Sequence, residues 1–314
     1  MRLILGHTRD VYYNLAAEDY FLYHSDEEVL MIWQSNRAVV CGKHQNLCAE
    51  ANLGFCFENN IQPARRLSGG GTVFHDEGNV NFTFIRNIET SLEKAVNFKR
   101  FLDPVIKVLG NMGLKAEYSG RNDLLFNGKK ISGNAEHLYQ QKGRVLHHGT
   151  LLFDSRLDEL GQALRSTGVY TDRAVKSVRS TVCNIKNELP VYENTAVFMQ
   201  AFAHELADLL NAIEKEPSAE EVLAIDNLCK NKYQTESWIL GYSPPYRMRR
   251  EFEHNGQKQS IELKVEKQMI LEAVLNGQIL PQFTGNILNE ATETNMLKQL
   301  FGEPIPQNLR YLLF

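Results

Sequence analysis

Apolar and polar positions follow two rhythms along this chain, and the change from one to the other marks the elements. Over 10–23 the residues Leu15, Ala16, Tyr20, Phe21 and Leu22 recur at helical spacing, which predicts a helix. Short apolar runs at 29–32 and 38–41, separated by Gln34-Ser35-Asn36, predict two strands. In Asn79-Val80-Asn81-Phe82-Thr83-Phe84 the alternation is strict. That strand should bury Val80, Phe82 and Phe84 and present Asn79, Asn81 and Thr83 on its other face. Helical spacing returns over 91–112 through Leu92, Val96, Leu102, Val105, Ile106 and Leu109, with Pro104 predicting a kink or a second helix start.

Turn signals dominate beyond residue 112. Asn127-Gly128 lies between Leu124-Leu125-Phe126 and Lys129-Lys130-Ile131-Ser132, a two-residue hairpin signature. Lys142-Gly143 precedes a further strand over 145–153. Helices are predicted over 157–164 and 195–213, the second capped by Asn194, and Ser218-Ala219-Glu220-Glu221 fits a capping box. The run Gly241-Tyr242-Ser243-Pro244-Pro245 breaks the pattern. It restarts with strands at 249–254 and 257–265 around Asn255-Gly256, a strand at 269–274 and a helix at 290–300. The pattern predicts an α+β fold with mostly antiparallel strands. A large mixed-sheet domain over 1–242 and a small α+β domain over 243–314 are expected.

Composition narrows the picture. The 314 residues fit two domains, and 43% apolar with 23% charged residues excludes a disordered chain or a disulfide scaffold. Cys41, Cys48, Cys56, Cys183 and Cys229 include no Cys-x-x-Cys pair, which argues against a zinc ribbon and a redox dithiol and predicts reduced thiols. A net charge of −4 argues against a dedicated nucleic-acid binder. No apolar run approaches the ~18 residues of a membrane span, and a cytoplasmic protein is expected. Residues 243–314 are charge-balanced, so the acidity belongs to 1–242, the same region that holds the densest basic clusters.

Four segments carry candidate chemistry. In Arg65-Arg66-Leu67-Ser68-Gly69-Gly70-Gly71-Thr72-Val73-Phe74-His75-Asp76, three glycines let backbone N–H groups approach an anion, with two arginines at the entrance. Neither a Walker pattern nor a dinucleotide fingerprint is present. In the second segment, the Asn127-Gly128 turn should point Ile131 to the core and place Lys130 and Ser132 together on the opposite face. Asp123 offers an oxygen to Mg²⁺ or a partner to Arg121. The third, Leu146-His147-His148-Gly149-Thr150, has adjacent histidines that a strand must send to opposite faces, one of them toward a pocket. The fourth, 173–186, holds Arg173, Lys176, Arg179 and Lys186 without an acidic residue: a solvated basic loop, or a contact for phosphate or an acidic partner. Together an anion loop, arginines, a pocket lysine and a carboxylate favour attack at phosphorus over acyl-enzyme chemistry.

These residues resemble the lipoate–protein ligase A family of the biotin/lipoate ligase superfamily. The likeness is carried by RRLSGGGTVFHDEGNVNFTF, GRNDLLFNGKKISGNAEHL, LHHGTLLFD and VKSVRSTVCNI, preceded by VVCGKHQNLCAEAN. The resemblance implies a two-step, ATP- and Mg²⁺-dependent activity. Lipoate or octanoate is first activated as its adenylate. The acyl group then passes to a lysine of an apo lipoyl domain of a 2-oxoacid dehydrogenase complex, or of the glycine cleavage H protein. It further implies ATP contacts from Arg66, Gly69, Gly70, Gly71, Thr72, Val73, Phe74 and Lys130, and lipoate contacts from Lys130, Ser132, Gly70 and His148. The same resemblance implies Lys130 as the catalytic residue and Asp123 as a metal contact. Two departures stand out: Leu67 replaces a small polar residue, and Cys183 stands where threonine is commoner. Two further readings follow, an ATP-independent octanoyl or lipoyl transferase using a cysteine nucleophile, and a non-catalytic paralogue that binds lipoate or lipoyl domains.

Overall fold

The computed structural model describes residues 1–88 and 97–314. Its largest sheet has eight strands, in the order Ile213–Glu214, Arg2–Leu5, Val29–Trp33, Asn79–Asn87, Arg144–Leu152, Lys129–Tyr139, Asp123–Phe126 and Glu117–Tyr118. Arg2–Leu5 pairs in parallel with both neighbours; the remaining pairs are antiparallel. The predicted α+β class with mostly antiparallel strands is the class observed.

Period-two alternation sorts the side chains of this sheet onto two faces. Leu30, Ile32, Val80, Phe82 and Phe84 pack on one face against the helices Phe98–Asn111 and Thr195–Leu210. Val29, Met31, Trp33 and Ile85 pack on the other face against the helix Val11–His24, which Asp10 caps by accepting from Tyr12 N at 2.8 Å. The polar face of Asn79–Asn87 is therefore buried too, because Val11–His24 covers it. The predicted 91–112 helix begins at Phe98 among the described residues, and its predicted first turns over 91–96 lie outside them. Pro104 neither starts a helix nor ends one: Phe101, Leu102, Val105, Val108 and Leu109 bury along one stripe, which offsets the ~3 kcal/mol cost of an interior proline. Asn194 and the Ser218–Glu221 capping box are in place, and the helix Thr195–Leu210 stops short of the predicted residue 213, where Asn211 turns left-handed at φ 51°.

A three-stranded sheet, Gln62–Arg65, Ala38–Cys41 and Val73–His75, carries the functional loop. Residues 66–72 link its two outer strands and cross over the end of the fully buried Ala38–Cys41. A five-stranded sheet contains Tyr246–His254, Gln257–Glu266 and Met269–Leu275, which cover the three strands the pattern predicted, and a short Gln278–Ile279 that it did not. Its edge strand, Val169–Asp172, comes from far upstream, with Tyr170 opposite Met248. The sheet of the 243–314 segment is thus completed by a strand from 1–242. No described helix is long and apolar enough to cross a membrane.

Candidate active site

The glycine-rich loop is built by the arginines that precede it. Arg65 is fully buried and donates to the carbonyls of Gly42, Lys43, Gln45, Trp238 and Ile239 and to Ser243 Oγ. It staples the loop's flank to the 238–243 segment and offers no charge at an entrance. Arg66 is buried as well. Its Nε donates to Ser68 Oγ at 3.0 Å, one terminal nitrogen to Val40 O, and the other to Gly69 O and Gly71 O at 2.6 and 2.7 Å. Burial pushes its guanidinium down to about 10. Five donors in a rigid fork suit it to bracing carbonyls, and that bracing turns the loop's N–H groups the other way. Gly70 sits at φ 88°, a region open to glycine at little cost.

Lys130 reaches the site through a bulge. Leu124 pairs with Ser132 but Leu125 with Lys130, so Ile131 is the extra residue and strict alternation fails there. Ile131 is buried as expected. Lys130 lines the cavity, but Ser132 does not; its hydroxyl is fully buried and accepts from Asn134 Nδ2 at 3.1 Å. The predicted pairing of Lys130 and Ser132 on one open face is thereby corrected. The ammonium lies across Gly133, where a Cβ would stand 2.9 Å from its Cε and Nζ, and it meets Asp123 Oδ1 at 2.9 Å. Asp123 pairs with Lys130 rather than with Arg121. Asn122 and Asn134 exchange side-chain donors and backbone carbonyls at 2.8 and 2.9 Å, tying the turn before Asp123 to the strand beyond Gly133.

The basic segment packs directly on these parts. Lys130 N donates to Thr181 O, and Cys183 N donates to Lys130 O, at 2.9 and 3.1 Å. Ser177 Oγ accepts from Thr72 N at 2.9 Å and from Gln45 Nε2 at 3.1 Å. Gln45, fully buried, also accepts from Gly42 N and from Thr72 Oγ1. This glutamine joins the loop, the strand end and the basic strap over 173–186, and nothing in its local sequence marked it.

His147 and His148 do point to opposite faces. His147 is enclosed by Phe82, Phe84 and Phe101 and bonded to Glu136; burial holds its imidazole well below the usual range. His148 lines the cavity, its Nδ1 within 3.0 Å of both oxygens of Glu18 and its Nε2 2.6 Å from Ser68 Oγ. Glu18 also accepts from Thr83, whose oxygen accepts from Trp33 Nε1. A carboxylate only accepts, so Nδ1 carries the proton that faces Glu18. Ser68, His148 and Glu18 have the connectivity of a nucleophilic triad. Ser68 is nevertheless fully buried, lines no cavity and already receives Arg66 Nε–H, so the relay braces the loop. Both ring nitrogens of His148 are engaged, and it presents carbon edges to the cavity. His75, also in the wall, is pushed down to about 3 by burial and by Arg66 and His148, and stays neutral.

Two cavities meet at Lys130. The first, about 190 Å³, is lined by Leu15, Trp33, Val40, Ala135 and His148 and by the loop from Gly70 to Val73. Its wall contains orphaned buried atoms, His75 Nδ1, Asn81 Nδ2 and Asn134 Oδ1. The second, about 420 Å³, is lined by Phe74, Leu152, Leu160, Leu164 and Val182. Thr72, Val73, Gly133 and Thr150 line both, as do two cations: Lys130, and Lys176, which is half exposed and paired with Asp172 at 2.8 Å. Gly69 borders the loop without lining either cavity. No group of three or more metal-ligating side chains occurs among the described residues, and Asp123 is the carboxylate lining the first cavity. Cys183 lines neither cavity, and burial pushes its thiol up, as it does for Cys41, Cys48, Cys56 and Cys229.

Comparison with known proteins gives the family of the chain. Residues 10–207 match the family model described as lipoyl protein ligase A/B catalytic domain. The lipoate–protein ligase LplJ of Bacillus subtilis is 32% identical over 96% of both chains. The human mitochondrial lipoyl amidotransferase is 32% identical over 96% of this chain and 85% of its own. Among solved structures, a lipoate–protein ligase A bound with ATP aligns with TM-score 0.65 and 26% identity, covering 77% of this chain and 98% of that one. A putative lipoate protein ligase of Thermoplasma acidophilum with bound lipoic acid aligns with TM-score 0.64 and 25% identity over 76% and 98%. The loop, the lysine strand and the strap thus lie in the catalytic region of a known enzyme group, and the chain belongs to the lipoate–protein ligase family.

Proposed function

We propose that this protein is an ATP-dependent lipoate–protein ligase. The observation that carries the reading is the meeting of two cavities at the Lys130 ammonium, between Thr72-Val73 and Gly133. The first cavity, with its apolar walls, takes the acyl chain. The second takes the nucleotide base, so that the acid's carboxylate and the α-phosphate come together at Lys130. A carboxylate oxygen attacks the α-phosphorus while the bond to pyrophosphate breaks. The ammonium, poised by Gly133 and Asp123, offsets charge on both partners. The ε-amine of an acceptor lysine then attacks the acyl carbon and AMP leaves. Mg²⁺ fits as an ion held mainly by ATP phosphates and water, with Asp123 as one protein oxygen, since one carboxylate suits Mg²⁺ better than a protein-built cage. Bound there, it would neutralise phosphate charge.

Thiol-mediated transfer has less support, because the cysteines are raised by burial and Cys183 lines neither cavity. On this reading 1–242 does the chemistry and 243–314 is an accessory domain, linked to it through Arg65 and the shared edge strand Val169–Asp172. The test incubates the protein with lipoate or octanoate, MgATP and an unlipoylated E2 lipoyl domain, following pyrophosphate release and acceptor mass. An ATP-dependent gain of one acyl group is expected. A gain without ATP, or none with a competent acceptor, would overturn the proposal.

A further inference from the structure

The far end of the first cavity differs in chemistry from its apolar walls. Its floor is a row of residues running straight across the large sheet. Thr150 Oγ1 accepts from Gly133 N at 3.2 Å, Thr150 stands opposite Asn81, and Asn81 opposite Trp33; all four line the cavity. Neighbouring strands lie about 4.8 Å apart, so Asn81 is about 10 Å and Trp33 about 14 Å along the floor from Gly133 and the ammonium above it. An extended eight-carbon acid is about as long as two such spacings, so one held by its carboxylate at Lys130 ends between Asn81 and Trp33. His75 closes that end, its ring centroid 5.7 Å from that of Trp33 and edge-on to it. An aromatic pair alone would suit a methyl group. Yet among the described residues His75 Nδ1 is buried without a partner, and so is the amide nitrogen of Asn81, whose oxygen accepts from Asn79 Nδ2 at 2.9 Å. Turning both asparagine amides together keeps that bond and exchanges the roles, so either way one polar atom of Asn81 is left over. Asn81 and His75 are only 2% and 4% exposed. Burial, with Arg66 and His148 nearby, keeps His75 neutral, so it brings hydrogen-bonding capacity and no charge.

We infer that Asn81 and His75, beside Trp33, form a polar end-stop that selects the acid by the far end of its chain: polarisable sulfur, as in a dithiolane, is preferred there over saturated hydrocarbon. This rests on the ligase reading above and deepens it, since the carboxylate at Lys130 is common to lipoate and octanoate and does not separate them. Sulfur accepts weakly from N–H groups and makes favourable contacts with aromatic rings. A hydrocarbon end displaces water from Asn81 and His75 and leaves both unpaired. A site built with hydrogen-bonding groups rejects the analogue that lacks a partner for them, whereas a purely apolar end separates chains by fit alone.

The test compares lipoate with its cyclopentane analogue, which keeps chain and ring but has a methylene in place of each sulfur. For each acid, kcat/KM is measured for acid-dependent exchange of pyrophosphate into ATP, and binding without ATP is measured by calorimetry. The parent should favour lipoate about 10-fold or more in both measurements. Asn81→Leu and His75→Phe, each close in size to the residue replaced, should cut the preference to about two-fold or less, by weakening lipoate and improving the analogue. A merely structural disturbance lowers both acids in step, so the ratio between them is the readout. His75→Phe leaves the Asn79–Asn81 bond in place and keeps the question open to measurement if Asn81→Leu folds poorly. A parent without preference between the two acids overturns the inference, as does a preference that survives in both variants. A parent that binds the acids with the expected preference but exchanges no pyrophosphate would sink the ligase reading and leave the end-stop standing. Exchange that runs equally well with both acids keeps the ligase reading and removes the end-stop.

Discussion

Replacing Gly42 by alanine tests whether the loop's position depends on what lies beneath it. A Cβ at residue 42 would stand 2.2 Å from Gly70 O and 3.2 Å from the carbonyl carbons of Gly69 and Gly70. An ordinary carbon–oxygen contact needs roughly 3.2 Å, so about 1 Å of displacement has to be found in backbone rather than in a side chain. The strand side cannot supply it. Gly42 N is bonded to Gln45 at 2.9 Å, Gly42 O to Arg65 at 3.1 Å, and Lys43 N to Ser68 O at 2.8 Å. The loop has to yield instead, carrying Gly70 away from Arg66. Overpacking of this kind costs about 1–3 kcal/mol of stability. A shift of about 1 Å in a positioning element costs on the order of 100-fold in rate. Urea unfolding reads the first quantity, and lipoate-dependent pyrophosphate exchange reads the second. Gly69→Ala is the control: no atom lies within 4 Å of its Cβ position, so its unfolding midpoint should equal the parent's. A Gly42→Ala protein with parental exchange and an unshifted midpoint would refute the steric argument, and so would a Gly69→Ala protein equally destabilised.

Lys130→Ala should lower exchange at least about 100-fold, as expected for loss of a charge acting on the reacting groups, while Lys129→Ala leaves exchange nearly intact; equal losses would contradict the placement of Lys130, and not Lys129, in the cavity wall. Gly133→Ala should displace the Lys130 ammonium, lowering exchange with little change in unfolding, because the group that has to move is the end of a flexible side chain. Glu18→Ala strands His148 Nδ1–H and the Thr83 hydroxyl, and should cost about 1–3 kcal/mol per stranded group in urea unfolding. Burial pushes Glu293 up to about 7, where its protonated form is favoured in the fold. Its contribution is fully present below the unfolded value of about 4.3 and is lost as pH rises through 7. Glu293→Gln should therefore match the parent near pH 4 and exceed it at pH 8 by up to about 3 kcal/mol, and identical pH profiles would refute the assignment.

The elements were legible because their causes are local. Asn127 and Asn255 take the left-handed turns at φ 49° and 52° that their Asn-Gly pairs announce, and Ser218 closes its capping box with Glu221. Period two separated Val80, Phe82 and Phe84 from Asn79, Asn81 and Thr83. It could not tell that the polar face would be covered as well, since the cover, Val11–His24, lies some sixty residues upstream. The glycine loop and the lysine strand were recognisable as motifs. Arg65 and Arg66 were recognisable as cations, but their use was not: a guanidinium bonded to six acceptors and one exposed at an entrance look alike in sequence. Lys130 and Ser132 illustrate the same limit, because the bulge at Ile131 is set by register against Leu124 and Leu125.

Sequence by itself determined the α+β class, the turns, the caps and which segments carry chemistry, since each depends on residues within a few positions of one another. Tertiary structure decided everything that depends on pairs distant in sequence. It set Glu18 against His148, Gln45 against Ser177, Thr181 against Lys130, and Val169–Asp172 at the edge of the C-terminal sheet. The physical reason is that alternation and spacing state which side of an element a residue occupies. What stands opposite is chosen by packing of the whole chain, and it is that opposition which fixes a proton on His148 and an ammonium over Gly133.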